Sequence, residues 1–257
     1  MYWHRLFAAK VSVLLFLLLS GCASSPQQVS SQQSSLESNQ STAEDIHWNY
    51  KALLIAGDRS ITAFDNARVS FKKYLLRHGV KNKNIRELSR RTYTTKKVQL
   101  TNQKNIEKSM QSLGIDSIDA CLVFMSSHGN RSGFAIEHTG TLRPATLNRL
   151  LLRYCGTQPT ILIVSACYSG VFAMNVMKHP NRIILTAARH DRTSFGCGVE
   201  NEYTYYDECL IRNLKSSRNW NQVAEKNIRC IDNKESYAKS HPQVFIGSDV
   251  QNLPLPK

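Results

Sequence analysis

The sequence predicts an α/β domain built on a mostly parallel six-stranded sheet with helices on both faces. Unbroken apolar runs, such as residues 121–125 and 161–164, are typical of strands that are buried on both faces. Segments with helical spacing of apolar residues separate these runs. Because strands that alternate with helices form doubly wound sheets, an open parallel sheet is the expected architecture.

Each element has its own signal in the chain. Phe64, Phe71 and Leu75 share one face of a predicted helix that Gly79 ends, and Pro144 opens another. The predicted strands cover residues 51–57, 84–88, 121–125, 161–164, 182–188 and 243–246. The predicted helices cover residues 63–78, 101 or 102 to 114, 144–154, the stretch from the Cys167 strand through Met177, 203–214 and 221–239. A small hairpin is expected within residues 133–142 and a polar loop over residues 189–202.

Residues 1–21 have the pattern of a secretory signal peptide, with a basic start and a short apolar run. The run ends in Leu19-Ser20-Gly21-Cys22, which resembles the bacterial lipobox, whose cysteine is acylated and becomes the first residue. An ordinary signal peptide with an incidental Cys22 is the alternative, and the run is shorter than the roughly 20 residues of a membrane-spanning helix. Ala23 in place of aspartate indicates sorting to the outer membrane, facing the periplasm.

The Ser- and Gln-rich composition of residues 22–45 predicts a flexible tether, and residues 46–257 are expected to form one α/β domain. The chain of 257 residues carries a formal net charge of +14. The positive residues are scattered and no nucleic-acid-binding module is present, so no nucleic-acid partner is expected. Solvated basic faces are favoured, and attraction to the anionic envelope surface is the second interpretation.

Seven cysteines are present, and the predicted compartment permits disulfides. Apart from Cys22 and Cys167, an odd number remains, so at least one stays free. Cys121 lies within a strand and is expected to be a buried apolar filler, and any bridge is expected among Cys197, Cys209 and Cys230. No Cys/His metal-ligand spacing occurs, so neither a metal nor a cofactor is expected.

Two of the predicted strands are followed by residues with reactive side chains. One is followed by Ser126-Ser127-His128-Gly129, the other by Ser165-Ala166-Cys167-Tyr168-Ser169-Gly170. As parallel neighbours, the two strands would bring His128 and Cys167 together at the carboxyl edge of the sheet, where ligands bind. A thiol beside an imidazole is a nucleophile with its base. The alternative is a buried cysteine and a core histidine without catalytic roles.

These stretches resemble the legumain family of cysteine peptidases, within the caspase–legumain–gingipain group. Ala56-Gly57 and the Thr186-Ala187-Ala188 strand with its following Ser194-Phe195-Gly196-Cys197 also match, and the similarity covers roughly residues 51–247. The resemblance implies a caspase-like αβα sandwich and cleavage or transfer at a peptide bond through a thioester. It also implies that the backbone N–H groups of Gly129 and Cys167 form the oxyanion hole.

The sequence departs from the family at the supports of the catalytic pair. Legumains have an asparagine after the first strand that supports the histidine, and this chain has Ile61-Thr62-Ala63-Phe64 there. The third catalytic member is therefore left open, with Asp58 as a candidate to orient His128.

The substrate pocket implied by the resemblance also differs, since the family's acidic residue two positions before the nucleophile is Ser165 and its basic pocket residues align with Asp65 and Asn66. The residues expected to bind substrate are Asp65, Ser165, Thr193, Ser194 and Asp207. Such an acidic pocket favours an arginine or lysine side chain. Selectivity for asparagine or aspartate, and a small or broad preference, are the other selectivities left open. The alternatives are that Asp65 only opens the first helix, that Asp207 is solvated, and that Arg189 or Arg192 neutralises the pocket.

Three functions fit these observations. The first is a lipid-anchored cysteine endopeptidase, the second a transpeptidase or transamidase on the same site, and the third a non-catalytic binding lipoprotein. An acyl-enzyme is resolved either by water or by an amine, and the sequence does not distinguish the two.

Overall fold

A seven-stranded sheet forms the centre of the structure, a computed structural model that describes residues 47–91 and 98–257. The predicted signal peptide, Cys22 and the tether therefore lie outside the described residues. The strands are β1 (Asn49–Ala56), β2 (Ile85–Ser89), β3 (Val98–Leu100), β4 (Asp119–Ser126), β5 (Gly129–Asn130), β6 (Gly133–Ile136), β7 (Gly140–Leu142), β8 (Thr160–Ser165), β9 (Arg182–Thr186) and β10 (Gln243–Ile246).

The main sheet has the order β10-β9-β8-β4-β1-β2-β3, and every pair is parallel except β9 with β10. The predicted mostly parallel sheet is confirmed, with seven strands in place of six. The additional strand, β3, has only three residues at the edge of the sheet, too few to show a pattern in the sequence. β5, β6 and β7 form a separate small sheet that contains the predicted hairpin.

Within residues 47–91 and 98–257, five α-helices cover the two faces of the sheet: α1 (Thr62–Arg77), α2 (Gln103–Leu113), α3 (Pro144–Tyr154), α4 (Tyr205–Leu214) and α5 (Trp220–Lys234). Side chains on one face of the central strands, such as Leu54, pack against α1, α4 and α5. Side chains on the opposite face, such as Leu53, pack against α2 and α3. The result is the expected αβα sandwich with a core on each face. Among the described residues, no helix combines the length and the apolar character needed to span a bilayer.

The helix predicted to run through Met177 is not an α-helix. Two short 3-10 turns, Ser169–Ala173 and Asn175–Met177, take its place. Tyr168 has a φ of 58° and Asn175 a φ of 45°, which is the left-handed region that an α-helix of L-residues does not use. The chain therefore bends twice after the strand and keeps Cys167 outside any helix.

Two disulfides tie helices to neighbouring elements. Cys209–Cys230 links α4 to α5, a pairing within the cysteine set that the sequence predicted. Cys121–Cys155 links β4 to the residue that follows α3, so the prediction of Cys121 as a reduced apolar filler was wrong. Both of its cysteines are buried in the same core, which places their thiols together. Among the described cysteines, Cys167 and Cys197 are free.

Candidate active site

The carboxyl edge of the sheet brings His128 and Cys167 next to each other. β4 and β8 are parallel neighbours in which Ser126 pairs with Ser165, and each candidate residue lies two positions beyond. A Cβ atom at position 129 would lie 2.2 Å from the carbonyl oxygen of Cys167. The backbones after the two strands therefore approach so closely that only glycine fits at position 129.

The thiol of Cys167 faces the loop that follows β9. The backbone N–H of Ser194 donates a hydrogen bond to Cys167 Sγ at 3.3 Å, and Ser194 Oγ lies 3.5 Å from the same sulfur. The next residue, Tyr168, donates its backbone N–H to the carbonyl oxygen of Arg192 at 2.7 Å. This loop therefore contacts both the sulfur of Cys167 and the backbone of the next residue, and it holds the turn after β8 in place.

The imidazole of His128 is half-buried and is supported by the segment between β1 and α1. The ring of Phe64 packs edge-on against it, with centroids 5.1 Å apart. Ser60 Oγ lies 3.3 Å from His128 Nε2. The Ser60 hydroxyl donates to Asp58 Oδ1, and the Ser60 backbone N–H donates to the same oxygen at 2.7 Å. Asp58 thus connects to His128 through Ser60.

The β1–α1 segment is itself anchored to the small sheet. The backbone N–H of Arg59 donates to Glu137 Oε2 at 3.0 Å, and its guanidinium pairs with the same carboxylate at 2.9 Å. Glu137 in turn donates its backbone N–H to the carbonyl oxygen of Gly57. These bonds fix the backbone on both sides of Asp58 and so fix the position of Ser60.

Asp207 lies directly beneath the ends of β4 and β8. Its side chain is fully buried, and Oδ2 accepts a hydrogen bond from Ser126 Oγ at 2.7 Å. Burial raises the pKa of Asp207 to about 6, although hydrogen bonds from Ser126, Ser165 and Thr204 act in the opposite direction. Asp207 Oδ1 has no hydrogen-bond partner among the described residues. A carboxyl group with one unsatisfied oxygen therefore lies at the base of the site.

Asp65, the other carboxylate of the predicted pocket, is held in a buried ion-pair network. Its Oδ1 atom accepts from Arg68 Nε at 2.9 Å and from Ser89 Oγ at 2.9 Å. Arg68 also pairs with Glu87, which pairs with Lys72. The sequence prediction did not include an arginine at this carboxylate, and Arg68 compensates its charge.

The remaining predicted substrate-binding residues lie on the β8 and β9 sides. Ser165 is the last residue of β8, with its hydroxyl 3.3 Å from Thr204 Oγ1, whereas Thr193 is exposed and Ser194 contacts the nucleophile. Sequence reasoning missed Ser60 and Thr204. Thr204 caps α4 by accepting the backbone N–H of Asp207, and a Thr-x-x-Asp pattern at a helix start is a recognisable signal.

Cys197, the second free thiol, is less suited to nucleophilic attack. It packs against the apolar cluster that contains Ile61 and Phe64. Burial raises the pKa of the Cys197 thiol, with the negative charge of Cys167 as the second cause. Because the thiolate is the reactive form, this thiol is held in its unreactive state. Within the described part of the chain, no group of three or more His, Cys, Asp or Glu side chains is arranged to hold a metal ion.

Comparisons with known proteins identify the family and agree with the fold. The model of the "Peptidase C13 family" matches residues 71–253. Among solved structures, caspase-1 from Spodoptera frugiperda superposes with a TM-score of 0.60 at 16% identity, over 79% of this chain and 88% of that one. No curated protein sequence matches the chain. The family match spans more than half of the chain and the fold is caspase-like, so the chain belongs to the peptidase C13 family, the legumain family of cysteine peptidases.

Proposed function

We propose that this peptidase is an endopeptidase that cleaves peptide bonds with Cys167 as nucleophile and His128 as proton donor. The single observation that carries the proposal is the close approach of Gly129 to the carbonyl oxygen of Cys167, which supports a side-by-side arrangement of His128 and Cys167. The Ser194 N–H that points at the sulfur supports the same assignment.

In the first half of the proposed reaction, the thiolate attacks the carbonyl carbon of the scissile bond. The backbone N–H groups of Gly129 and Cys167 receive the developing oxyanion. His128 gives a proton to the leaving amine as the C–N bond breaks. The products of this step are a thioester on Cys167 and the free amine of the carboxyl-terminal fragment.

In the second half, water attacks the thioester with His128 as general base, and the carboxylic acid leaves as the thiolate re-forms. An amine that replaced water would give a new peptide bond, which is the transpeptidase alternative. The positions of Cys167 and His128 serve both outcomes, so the acceptor decides between them.

The proposed support for the imidazole is a chain of two hydrogen bonds. His128 Nε2–H donates to Ser60 Oγ, whose hydroxyl donates to Asp58. Both hydrogen bonds are donated in the same direction, from the ring toward Asp58. The carboxylate of Asp58 at the end of this series stabilises positive charge on the ring. Nδ1 then remains for proton transfer to the leaving amine. Ser60 and Asp58 act as positioning residues in this scheme.

We also propose that the pocket for the residue before the cut is acidic and prefers arginine or lysine. Asp65 is already paired with Arg68, so the charge of this pocket depends on Asp207. The Oδ1 atom of Asp207 is buried and has no hydrogen-bond partner among the described residues, so in this proposal the carboxyl supplies negative charge from beneath the pocket and does not touch the substrate. Ser165, Thr193 and Ser194 complete the proposed lining.

The location remains a proposal from the sequence, with Cys22 as the acylated residue that anchors the domain to the outer membrane, facing the periplasm. The partners in this scheme are a peptide or protein substrate and the membrane.

One experiment distinguishes the three functions. The purified chain is incubated with a peptide library, with and without an added amine, and the products are identified by mass spectrometry. Cleaved peptides with free carboxylates support the endopeptidase, and amine adducts support the transpeptidase. If wild type turned over no more peptide than Cys167→Ala does, the binding lipoprotein would be favoured.

A further inference from the structure

The domain has an end that is opposite to the active site, and helix α1 connects the two. Phe64, in the first turn of α1, contacts His128. His78, just past the last turn, lines a recess together with His47 and Trp48 at the start of β1. Since α1 has 16 residues, these two ends are separated by about 24 Å.

Unpaired cations surround a cavity at this far end. The cavity has a volume of about 180 Å³ and lies between α1 and α4. Lys73, Arg77, His78 and Lys215 line it, and none of its described lining residues is a carboxylate. The side chains of Lys73, Arg77 and Lys215 are exposed, and within residues 47–91 and 98–257 none of the three takes part in an ion pair.

The charge continues beyond the cavity. Lys81 and Lys83 follow α1 and are exposed, and Leu76 is 41% exposed beside Arg77. We call the set Lys73, Arg77, Lys81, Lys83 and Lys215 the basic end. Asp116, which precedes β4, and Asp119, the first residue of β4, pair with Lys51 and not with the basic end.

The chain also enters the domain at this end. His47, the first described residue, shares the recess with His78. The preceding 46 residues include the predicted tether and Cys22. A lipid on Cys22 would hold this end of the domain within the length of the tether from a bilayer.

We propose that the basic end lies against the anionic headgroups of the bilayer and turns the active site away from it. Exposed ammonium and guanidinium groups are attracted to the negative surface potential of a membrane, and Leu76 adds an apolar contact. Each charge near such a surface favours the bound orientation by about fivefold. The inference uses the proposed anchoring but makes no use of the proposed peptidase chemistry.

Lysine acetylation of the acylated full-length chain tests this orientation. The protein is bound to vesicles of neutral phosphatidylcholine, or of phosphatidylcholine with phosphatidylglycerol, and the modified lysines are quantified by mass spectrometry. We expect Lys73, Lys81 and Lys215 to be protected on the anionic vesicles and to become reactive again in high salt. Lys104, exposed in the first turn of α2 near the active-site end, should react equally on both. The same spectra report acylation of Cys22, so a missing anchor is recognised separately.

A triple variant provides the matched control. Lys73→Gln/Arg77→Gln/Lys215→Gln should shift the orientation equilibrium by about a hundredfold and remove protection at Lys81. Lys104→Gln/Lys108→Gln, which removes exposed charge from α2, should leave protection unchanged. Equal reactivity of Lys73 and Lys104 on anionic vesicles would overturn the proposal. Protection by an oligonucleotide but not by the vesicles would assign the surface to a different polyanion and would also overturn it.

Discussion

Replacing Ser60 by alanine should lower kcat while leaving KM unchanged, because the hydroxyl contacts the imidazole of His128 and the proposed substrate pocket does not include it. The variant removes the acceptor that lies 3.3 Å from Nε2 and disconnects Asp58 from the ring. The backbone N–H of residue 60 still donates to Asp58, so the turn before α1 is retained.

The magnitude follows from the type of bond that is lost. A hydrogen bond to a charged group contributes about 1.5–3 kcal/mol. The contact of 3.3 Å is longer than an average N–H···O bond, and the ring is half-buried, so the lower value applies. A loss of about 1.5 kcal/mol in the transition state corresponds to a decrease in kcat of about tenfold.

The assay is steady-state hydrolysis of a fluorogenic peptide by four chains: wild type, Ser60→Ala, Asp58→Asn and the double variant. Asparagine keeps an oxygen that accepts the Ser60 N–H, so Asp58→Asn removes the charge alone. If the Asp58 charge acts through the Ser60 hydroxyl, the double variant will lose less kcat than the sum of the two single losses predicts, in free-energy terms. Ser60→Thr, which keeps a hydroxyl, should recover most of the activity. Additive losses, a rise in KM without a fall in kcat, or an unchanged Ser60→Ala enzyme would refute the hydrogen-bond chain.

Cys167→Ala should abolish peptide cleavage, because the other free thiol among the described cysteines, Cys197, packs against Ile61 and Phe64 and has a raised pKa. His128→Ala should lower kcat by about 10²–10⁴. Near-normal activity of either variant would end the assignment of the pair. Cys22→Ser should yield an unacylated form that leaves the detergent phase, and equal partitioning of wild type and variant would argue against the anchor. The free energy of unfolding should fall as pH rises from about 4 to 6, since Asp207 titrates near 6 when folded and near 3.8 when unfolded. Asp207→Asn should remove this fall and stabilise the domain at pH 7 by on the order of 3 kcal/mol, measured by urea unfolding, and an unchanged pH dependence would show that the carboxyl is not the cause. A peptide panel that varies only the residue before the cut should favour arginine and lysine, and a preference for asparagine would contradict the acidic pocket.

Much of the site was predictable because the chemistry follows strand ends. The apolar runs before His128 and Cys167 place both residues at the same edge once the strands are neighbours. Glycine at position 129 is likewise a local signal for close backbone approach. Such features depend on the pattern within one segment, which a sequence displays directly.

The parts that were not predictable depend on contacts between distant segments. Ser60 reaches His128 across 68 positions, and nothing near Ser60 in the sequence indicates this partner. Cys121 is bonded to Cys155, which lies 34 positions later and directly follows α3. The residues around Cys121 show only a buried strand, and this local context predicted an apolar filler without a disulfide. Arg68, in contrast, lies three residues after Asp65, and this helical spacing could have been recognised as a pair.

The cysteine arrangement has a consequence for the maturation of the chain. Disulfides persist in oxidising compartments, and four buried cysteines are consumed in Cys121–Cys155 and Cys209–Cys230. The proposed nucleophile, Cys167, is free and half-buried at the sheet edge, whereas the four bonded cysteines lie in the two cores. The fold itself therefore separates the thiols that pair from the thiol that the proposed reaction needs. In the proposed reaction, a chain whose cysteines were oxidised before folding would lack this separation and would lose activity through mispaired disulfides.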